Sequence, residues 1–199
     1  REIGLTATPV LYFASVHYGQ KAGVMVTASH NPPEYNGFKF CRKGVSYSYE
    51  TGIKRLEEIV NSNSFKLAGW EQTGKLEAQE VLPDYIQYTL KNRVLERSLK
   101  VVLDIGNGAC GFTKKIFEAL GCQTEALFPE PDGRFPNHAP DPLKEETLTI
   151  LRQKVMAENA DLGIAFDGDG DRIGFVDEKG QTIPADLVFM LFTREVLKQ

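Results

Sequence analysis

The fold is decided by the stretch Lys100-Val-Val-Leu-Asp-Ile-Gly-Asn-Gly-Ala-Cys-Gly111, in which an apolar, β-branched run passes directly into a glycine-rich turn. Residues 112–120 then have the pattern of a helix closed by Gly121, and residues 123–127 that of a second strand. Strand, helix and strand in this order make one βαβ unit. The stretch therefore predicts an α/β fold for this half of the chain.

The alternation of strands and helices continues beyond a proline-rich loop at residues 128–142. A helix is predicted over residues 144–159, followed by strands over 161–166 and 173–176. Because parallel strands are joined by helical crossovers, we expect mixed, mainly parallel sheets sandwiched by helices.

The first half of the chain also contains helical patterns. Thr8 is predicted as an N-cap with Pro9 at the first helical position, and helical spacing then runs to Gly19. Two further helices are predicted over residues 53–60 and 84–97, the second with Tyr85, Tyr88 and Leu95 on its apolar side.

Changes of pattern place domain boundaries near residues 98 and 182. We expect one domain over residues 1–97, a second over 98–181 and the beginning of a third over 182–199. The chain opens with Arg1 rather than Met and closes inside a helical pattern. We therefore expect a fragment cut at both ends.

Composition excludes several classes of protein. The 199 residues include 23 Lys+Arg and 27 Asp+Glu, which gives a net charge of −4. The protein therefore has no overall positive charge that would attract nucleic acid or an anionic membrane. The longest apolar run, around residues 187–192, is far short of the roughly 20 residues that span a bilayer. Three cysteines without a C-x-x-C spacing suit a reducing cytoplasm.

Asp167-Gly-Asp-Gly-Asp-Arg172 follows the predicted strand at residues 161–166. Three carboxylates at alternate positions, with glycines that allow tight turning, can converge on one hard cation such as Mg²⁺, Mn²⁺ or Ca²⁺. An EF-hand is disfavoured, because its sixth position requires glycine and holds Arg172 here. The remaining alternative is a solvated acidic turn.

A polar loop separates the predicted strands at residues 23–27 and 38–41. It contains Ser29 and His30, and Asn36-Gly37, a hairpin signal, precedes the second strand. A serine hydrolase is disfavoured, because adjacent side chains diverge in an extended chain and there is no G-x-S-x-G motif. Lys39 can return beside Ser29 and place a cation near a phosphate. The loop can also be an ordinary polar turn, with Lys39 solvated.

Gly106-Asn-Gly-Ala-Cys-Gly111 formally matches G-x-G-x-x-G, with Glu125 and Glu130 downstream. One interpretation is a Rossmann-like dinucleotide site. The other, which the shortness of the pattern favours, is that the glycines permit close packing of the strand against the helix.

Together these motifs resemble those of the α-D-phosphohexomutase family. The similar segments are Thr27–Pro32, Asp167–Arg172, Leu103–Gly108 and Pro131–Pro136 with Asn137-His138. The resemblance runs over nearly the whole chain, and Pro32–Lys39 is closest to the bacterial phosphomannomutase/phosphoglucomutase group.

The resemblance implies a function and roles for particular residues. It implies interconversion of the 1- and 6-phosphates of mannose or glucose through a phosphoserine at Ser29 and a bisphosphorylated sugar, with glucose 1,6-bisphosphate as activator. One Mg²⁺ would be held by Asp167, Asp169 and Asp171 together with Ser29. Arg172 would bind phosphate oxygens, while Lys39 and His30 would handle protons.

The family pattern has four domains, and the resemblance implies that this chain covers part of the first and nearly all of the second. The sites for the sugar and the distal phosphate lie in the other two, so we expect the chain alone to be inactive. Two other functions stay open at this point. One is a Rossmann-like nucleotide-binding module using Gly106–Gly111, and the other is a non-catalytic domain stabilised by a metal.

Overall fold

The structure of the protein is a computed structural model that describes residues 1–198. Its α-helices are α1 (Thr8–His17), α2 (Lys54–Asn61), α3 (Leu82–Leu90), α4 (Thr113–Ala119), α5 (Thr149–Glu158) and α6 (Ala185–Val196). Its strands are β1 (Gly23–Val26), β2 (Phe38–Arg42), β3 (Val45–Ser46), β4 (Lys100–Asp104), β5 (Gln123–Leu127), β6 (Leu162–Phe166), β7 (Ile173–Asp177) and β8 (Thr182–Ile183). Short 3₁₀ turns precede α4 and α5, and a π-turn precedes α2.

The strands form two sheets, which confirms the α/β class. The first is antiparallel in the order β1-β2-β3, and the second has the order β5-β4-β6-β7-β8. The pairings of β4 with β5 and with β6 are parallel, whereas the other pairings between the described strands are antiparallel. The larger sheet is therefore mixed, as expected, but the expectation that the sheets are mainly parallel was wrong. Residues 167–172 alone join β6 to β7, and a connection that short cannot make the crossover that parallel pairing requires.

Helices cover both faces of the five-stranded sheet. Val101 and Leu103 of β4 are fully buried in one apolar cluster that includes residues of α1 and α4. Val102 points to the other face, where it packs with Leu151 and Val155 of α5. This alternation follows from the two-residue repeat of a strand and gives β4 a buried environment on both sides.

The three-stranded sheet is covered on one face only. Gly23 of β1 lies against Cys41 of β2 and Leu11 of α1, which places α1 on that face. On the other face Val26 and Phe38, opposite each other in the register, are 59% and 64% exposed. The expectation of sheets sandwiched by helices therefore holds for the larger sheet and not for this one.

The predicted length of one helix and the predicted hairpin turn in the first half of the chain were wrong. The helix predicted over residues 84–97 ends at Leu90, because Lys91 is extended and Asn92 has a left-handed φ of 59°. Leu95 lies beyond it. Asn36-Gly37 does not form a tight hairpin turn: Gly37 accepts a backbone hydrogen bond from Thr27, so residues 27–37 together form one long connection between β1 and β2.

None of the helices within residues 1–198 combines the length and the apolar character that crossing a membrane requires.

Candidate active site

The acidic loop at the carboxyl end of β6 gathers three carboxylates. One oxygen from each of Asp167, Asp169 and Asp171 lies within 4.8 Å of the others. Asp167 and Asp169 are buried, at 0% and 4% exposure, while the side chain of Asp171 is one-third exposed. Buried carboxylates this close repel one another unless a cation offsets their charge.

Glycines allow the acidic loop to pack against its neighbours. A side chain at Gly170, where φ is +72°, would overlap the sulfur of Cys110. A side chain at Gly168 would overlap the carbonyl oxygen of Ser29. The two glycines therefore let the loop approach both the apolar cluster that contains Cys110 and the β1–β2 loop.

Ser29 reaches the acidic loop from the β1–β2 connection. Its φ of 59° is left-handed, and its backbone N–H donates to the hydroxyl of Thr27 at 2.8 Å. In this conformation the Ser29 hydroxyl donates to Asp167 Oδ2 at 2.7 Å, across 138 residues of sequence. The structure thus brings the two main motifs together.

Lys39 supplies the positive charge nearest to the carboxylates. It lies on β2, and its Nζ is 2.6 Å from Asp169 Oδ2 and 2.5 Å from Asp171 Oδ2. Burial works to lower the pKa of Lys39, but the hydrogen bonds to Asp169 and Asp171 outweigh it and raise that pKa. Lys39 is therefore held as an ammonium ion that partly neutralises the cluster.

The two buried carboxylates have different environments. Burial raises the pKa of Asp167. Burial acts in the same direction on Asp169, but hydrogen bonds from Lys39 and Thr8 lower the pKa of that carboxyl below its ordinary value. Asp169 Oδ1 is buried and has no hydrogen-bond partner among the described residues. An unpaired buried carboxylate oxygen fits a hard cation, which is what the sequence predicts for this loop.

His30 and Arg172 lie at the edge of this arrangement. His30 Nδ1 is 3.5 Å from the Ser29 hydroxyl, the limit of a hydrogen bond. The Arg172 guanidinium is 3.9 Å from Asp141 rather than beside Ser29, while the Arg172 backbone N–H donates to Asp167 Oδ1 at 3.0 Å. The described contacts thus bring together Ser29, Lys39 and the three aspartates, with His30 adjacent and Arg172 turned toward Asp141.

The glycine-rich turn after β4 packs against the acidic loop. Ala109 donates a backbone hydrogen bond to the Gly168 carbonyl at 2.9 Å. A side chain at Gly108 would lie 2.8 Å from that same oxygen. The glycines of Gly106–Gly111 therefore do permit close packing. The contact is between this turn and the acidic loop, however, and not between a strand and a helix as predicted.

Two family descriptions match the chain: phosphoglucomutase/phosphomannomutase alpha/beta/alpha domain I over residues 1–67, and alpha/beta/alpha domain II over residues 83–180. The chain belongs to the phosphoglucomutase/phosphomannomutase family. The family expected from the motifs is thereby confirmed.

Relatives within the phosphoglucomutase/phosphomannomutase family are considerably longer. The phosphomannomutase/phosphoglucomutase of Pseudomonas aeruginosa is 44% identical over 199 residues, which is 100% of this chain and 42% of the relative. The phosphoglucomutase of Neisseria meningitidis serogroup B is 39% identical over 99% of this chain and 42% of its own length. A crystal structure of a family protein from Burkholderia thailandensis has a TM-score of 0.88 at 39% identity, covering 98% of this chain and 44% of that one. These relatives do not support the nucleotide-binding alternative.

Two residues, Thr8 and Cys110, contact the acidic loop but were not predicted from the sequence to belong to the site. Thr8 is not the N-cap of α1, a position held by Ala7; its hydroxyl donates to Asp169 Oδ2 at 2.8 Å instead. Cys110 lies beneath Gly170, and burial, with the charges of Asp167 and Asp169, raises the pKa of its thiol to about 12. Cys110 is therefore an inert packing group. The sequence pattern of Thr8-Pro9 predicts only the start of a helix.

A hydrogen-bonded pair, the half-buried His138 and the buried Asp104, supports the glycine-rich turn. His138 Nε2 is 3.1 Å from Asp104 Oδ2, and Asp104 Oδ1 accepts the backbone N–H of Gly106 at 3.0 Å. The hydrogen bond to Asp104 raises the pKa of His138, although burial opposes this. The pair thus ties the loop at residues 128–142 to the start of the turn that packs on Gly168.

Replacing His138 with Gln is expected to lower the free energy of unfolding in a pH-dependent way. Because the folded pKa is raised, the stabilisation is complete below the unfolded pKa of about 6.5 and is lost as pH rises through the folded value. We expect a deficit of about 1.5–3 kcal/mol at low pH, as for a hydrogen bond to a charged group, and a smaller one at high pH. Urea denaturation at about pH 5.5 and about pH 8.5 measures both.

Asp104→Asn provides the control for this prediction. With the carboxylate removed, adding His138→Gln should no longer produce a deficit that changes with pH. A deficit in the His138→Gln protein that is equal at both pH values would contradict the assignment of an ion pair.

Proposed function

We propose that the full-length protein is a phosphohexomutase that interconverts the 1- and 6-phosphates of mannose or glucose. The observation that carries the proposal is the 2.7 Å hydrogen bond from Ser29 to Asp167, which places a candidate phosphoryl carrier on the acidic loop. The named relatives, a phosphomannomutase/phosphoglucomutase and a phosphoglucomutase, support the same substrates.

A divalent cation, proposed to be Mg²⁺, would be held by Asp167, Asp169 and Asp171 together with Ser29. Three carboxylates and the unpaired Asp169 Oδ1 suit a hard cation with oxygen ligands. When bound, it would neutralise charge and polarise the phosphoryl group for transfer. A phosphate on Ser29 adds about −2 to this acidic site, which makes charge compensation a requirement of the mechanism.

The proposed first step transfers phosphate from Ser29 to a free hydroxyl of the hexose monophosphate. A bond forms between phosphorus and the sugar oxygen, the bond from phosphorus to Ser29 Oγ breaks, and the sugar hydroxyl proton ends on Ser29 Oγ. We assign the handling of this proton to His30, at 3.5 Å from that oxygen, and to Lys39: the Lys39 ammonium ion would give a proton to Ser29 Oγ and be reprotonated by the sugar hydroxyl. After the bisphosphate turns over, the reverse step returns the other phosphate to Ser29. Arg172, whose guanidinium lies 3.9 Å from Asp141, is proposed to bind phosphate oxygens.

The domain arrangement is part of the proposal. We assign residues 1–97 to a first domain, 98–181 to a second and 182–199 to the start of a third. In a four-domain enzyme the remaining domains would bind the sugar and the distal phosphate, so the chain alone is expected to be inactive. The three cysteines are free and buried, which suits action in the cytoplasm.

Ser29→Ala is expected to abolish phosphorylation of the full-length protein. The wild type, incubated with glucose 1,6-bisphosphate and Mg²⁺, should gain about 80 Da for one phosphate, and the variant should gain none. Intact-mass spectrometry measures both. Ser46→Ala, which removes an exposed serine from β3, is the matched control and should gain phosphate like the wild type. A wild type that stays unmodified, or a Ser29→Ala protein that is still phosphorylated, would overturn the proposal.

A further inference from the structure

Thr8 contacts Asp169 twice, across 161 residues of sequence. Its backbone N–H donates to the Asp169 carbonyl oxygen at 2.8 Å, and its hydroxyl donates to Asp169 Oδ2 at 2.8 Å. Thr8 is fully buried at the first residue of α1. The main chain and the carboxylate of Asp169 are therefore both held by one residue of the first helix.

The hydroxyl contact determines which oxygen of Asp169 is available. Oδ2 accepts hydrogen bonds from both Thr8 and Lys39, whereas Oδ1 is buried without a partner among the described residues. Rotation of the carboxylate would break both bonds to Oδ2. A buried acceptor left unpaired costs free energy, so the arrangement is explained if Oδ1 is reserved for another ligand.

Thr8 and Lys39 differ in how they respond to a cation. The Lys39 ammonium ion repels a second positive charge, because both would lie against the same carboxylates. The Thr8 hydroxyl has no net charge, so its hydrogen bond can persist when a cation enters. Thr8 can therefore orient Asp169 in both the metal-free and the metal-bound protein.

We propose that Thr8 is a positioning residue of the metal site: by holding Asp169 Oδ2, it directs Oδ1 toward the divalent cation. This inference rests on the proposed metal site. Groups that hydrogen-bond to metal ligands fix the orientation of those ligands, and replacing such groups typically weakens metal binding about 10–100-fold.

The test is a titration of the full-length protein with Mn²⁺, followed by electron paramagnetic resonance of the free ion. Thr8→Val keeps the size of the side chain and removes the donor, so its Kd for Mn²⁺ should rise about 10–100-fold. Thr8→Ser restores the hydroxyl and should recover most of the affinity. Thr147→Val is the matched control, because Thr147 is also buried but donates only to the backbone carbonyls of Asp141 and Lys144.

The outcomes separate the two proposals. A Thr8→Val protein that is less stable to heat but binds Mn²⁺ like the wild type would overturn the positioning role. A wild type that binds no Mn²⁺ would overturn the metal site itself, and this inference with it. If Thr8→Val does not melt cooperatively, Thr8→Ala, which removes the donor without adding apolar volume, replaces it; wild-type affinity in that variant would again overturn the positioning role.

Discussion

Gly168→Ala should reduce the proposed mutase activity of the full-length protein by about 100-fold, because a displacement of about 1 Å at a reacting group can cost that much. The added methyl group would overlap the carbonyl oxygen of Ser29, a backbone atom that can move only if the β1–β2 loop moves. That movement would separate the Ser29 hydroxyl from Asp167. A coupled assay of glucose 6-phosphate formation from glucose 1-phosphate measures the loss in kcat/KM.

Gly133→Ala is the control for this experiment. Gly133 also lies in a loop of the second half of the chain, but a methyl group there would meet no atom within 4 Å. It should retain wild-type activity. If Gly168→Ala is as active as Gly133→Ala, the contact between the Ser29 loop and the acidic loop is not needed for phosphoryl transfer.

Asp169→Asn should abolish the stabilisation that the proposed Mg²⁺ site is expected to give the protein. Because Thr8 and Lys39 both donate to Oδ2, the amide oxygen of Asn would occupy that position, and the NH₂ group would take the place of Oδ1. An NH₂ group donates hydrogen bonds and cannot ligate a cation. At Mg²⁺ concentrations near 100 times Kd the wild type should gain about 2.7 kcal/mol of stability, and the variant essentially none.

Urea denaturation with and without Mg²⁺ measures this difference. Asp177→Asn is the matched control, since Asp177 accepts backbone hydrogen bonds in a turn after β7 and has no part in the carboxylate cluster. It should gain as much stability from Mg²⁺ as the wild type. An Asp169→Asn protein that is still stabilised by Mg²⁺ to the same degree would show that the cation binds elsewhere.

Local sequence patterns predicted the second half of the chain closely. β5 lies at the predicted residues, and β4 and β6 differ from their predictions by a residue at one end. In these elements the apolar residues recur regularly, and this periodicity indicates which residues are buried. The extent of α3 was not predictable in this way, because the αL conformation of Asn92 terminates a pattern that the side chains alone would continue. Strand direction was also missed, since it depends on the length of each connection rather than on the strands themselves.

The sequence by itself determined the chemistry available to this protein. The spacing of Asp167, Asp169 and Asp171 and the glycines between them follow from covalent connectivity, so a hard-cation loop could be predicted from one segment. Only the tertiary structure decided what meets that loop. Ser29, Lys39 and Thr8 reach it across more than 130 residues, through the packing of α1 and β2 beside the end of β6. Contacts of that range are set by the packing of whole elements, and a residue pattern describes only the element in which it lies.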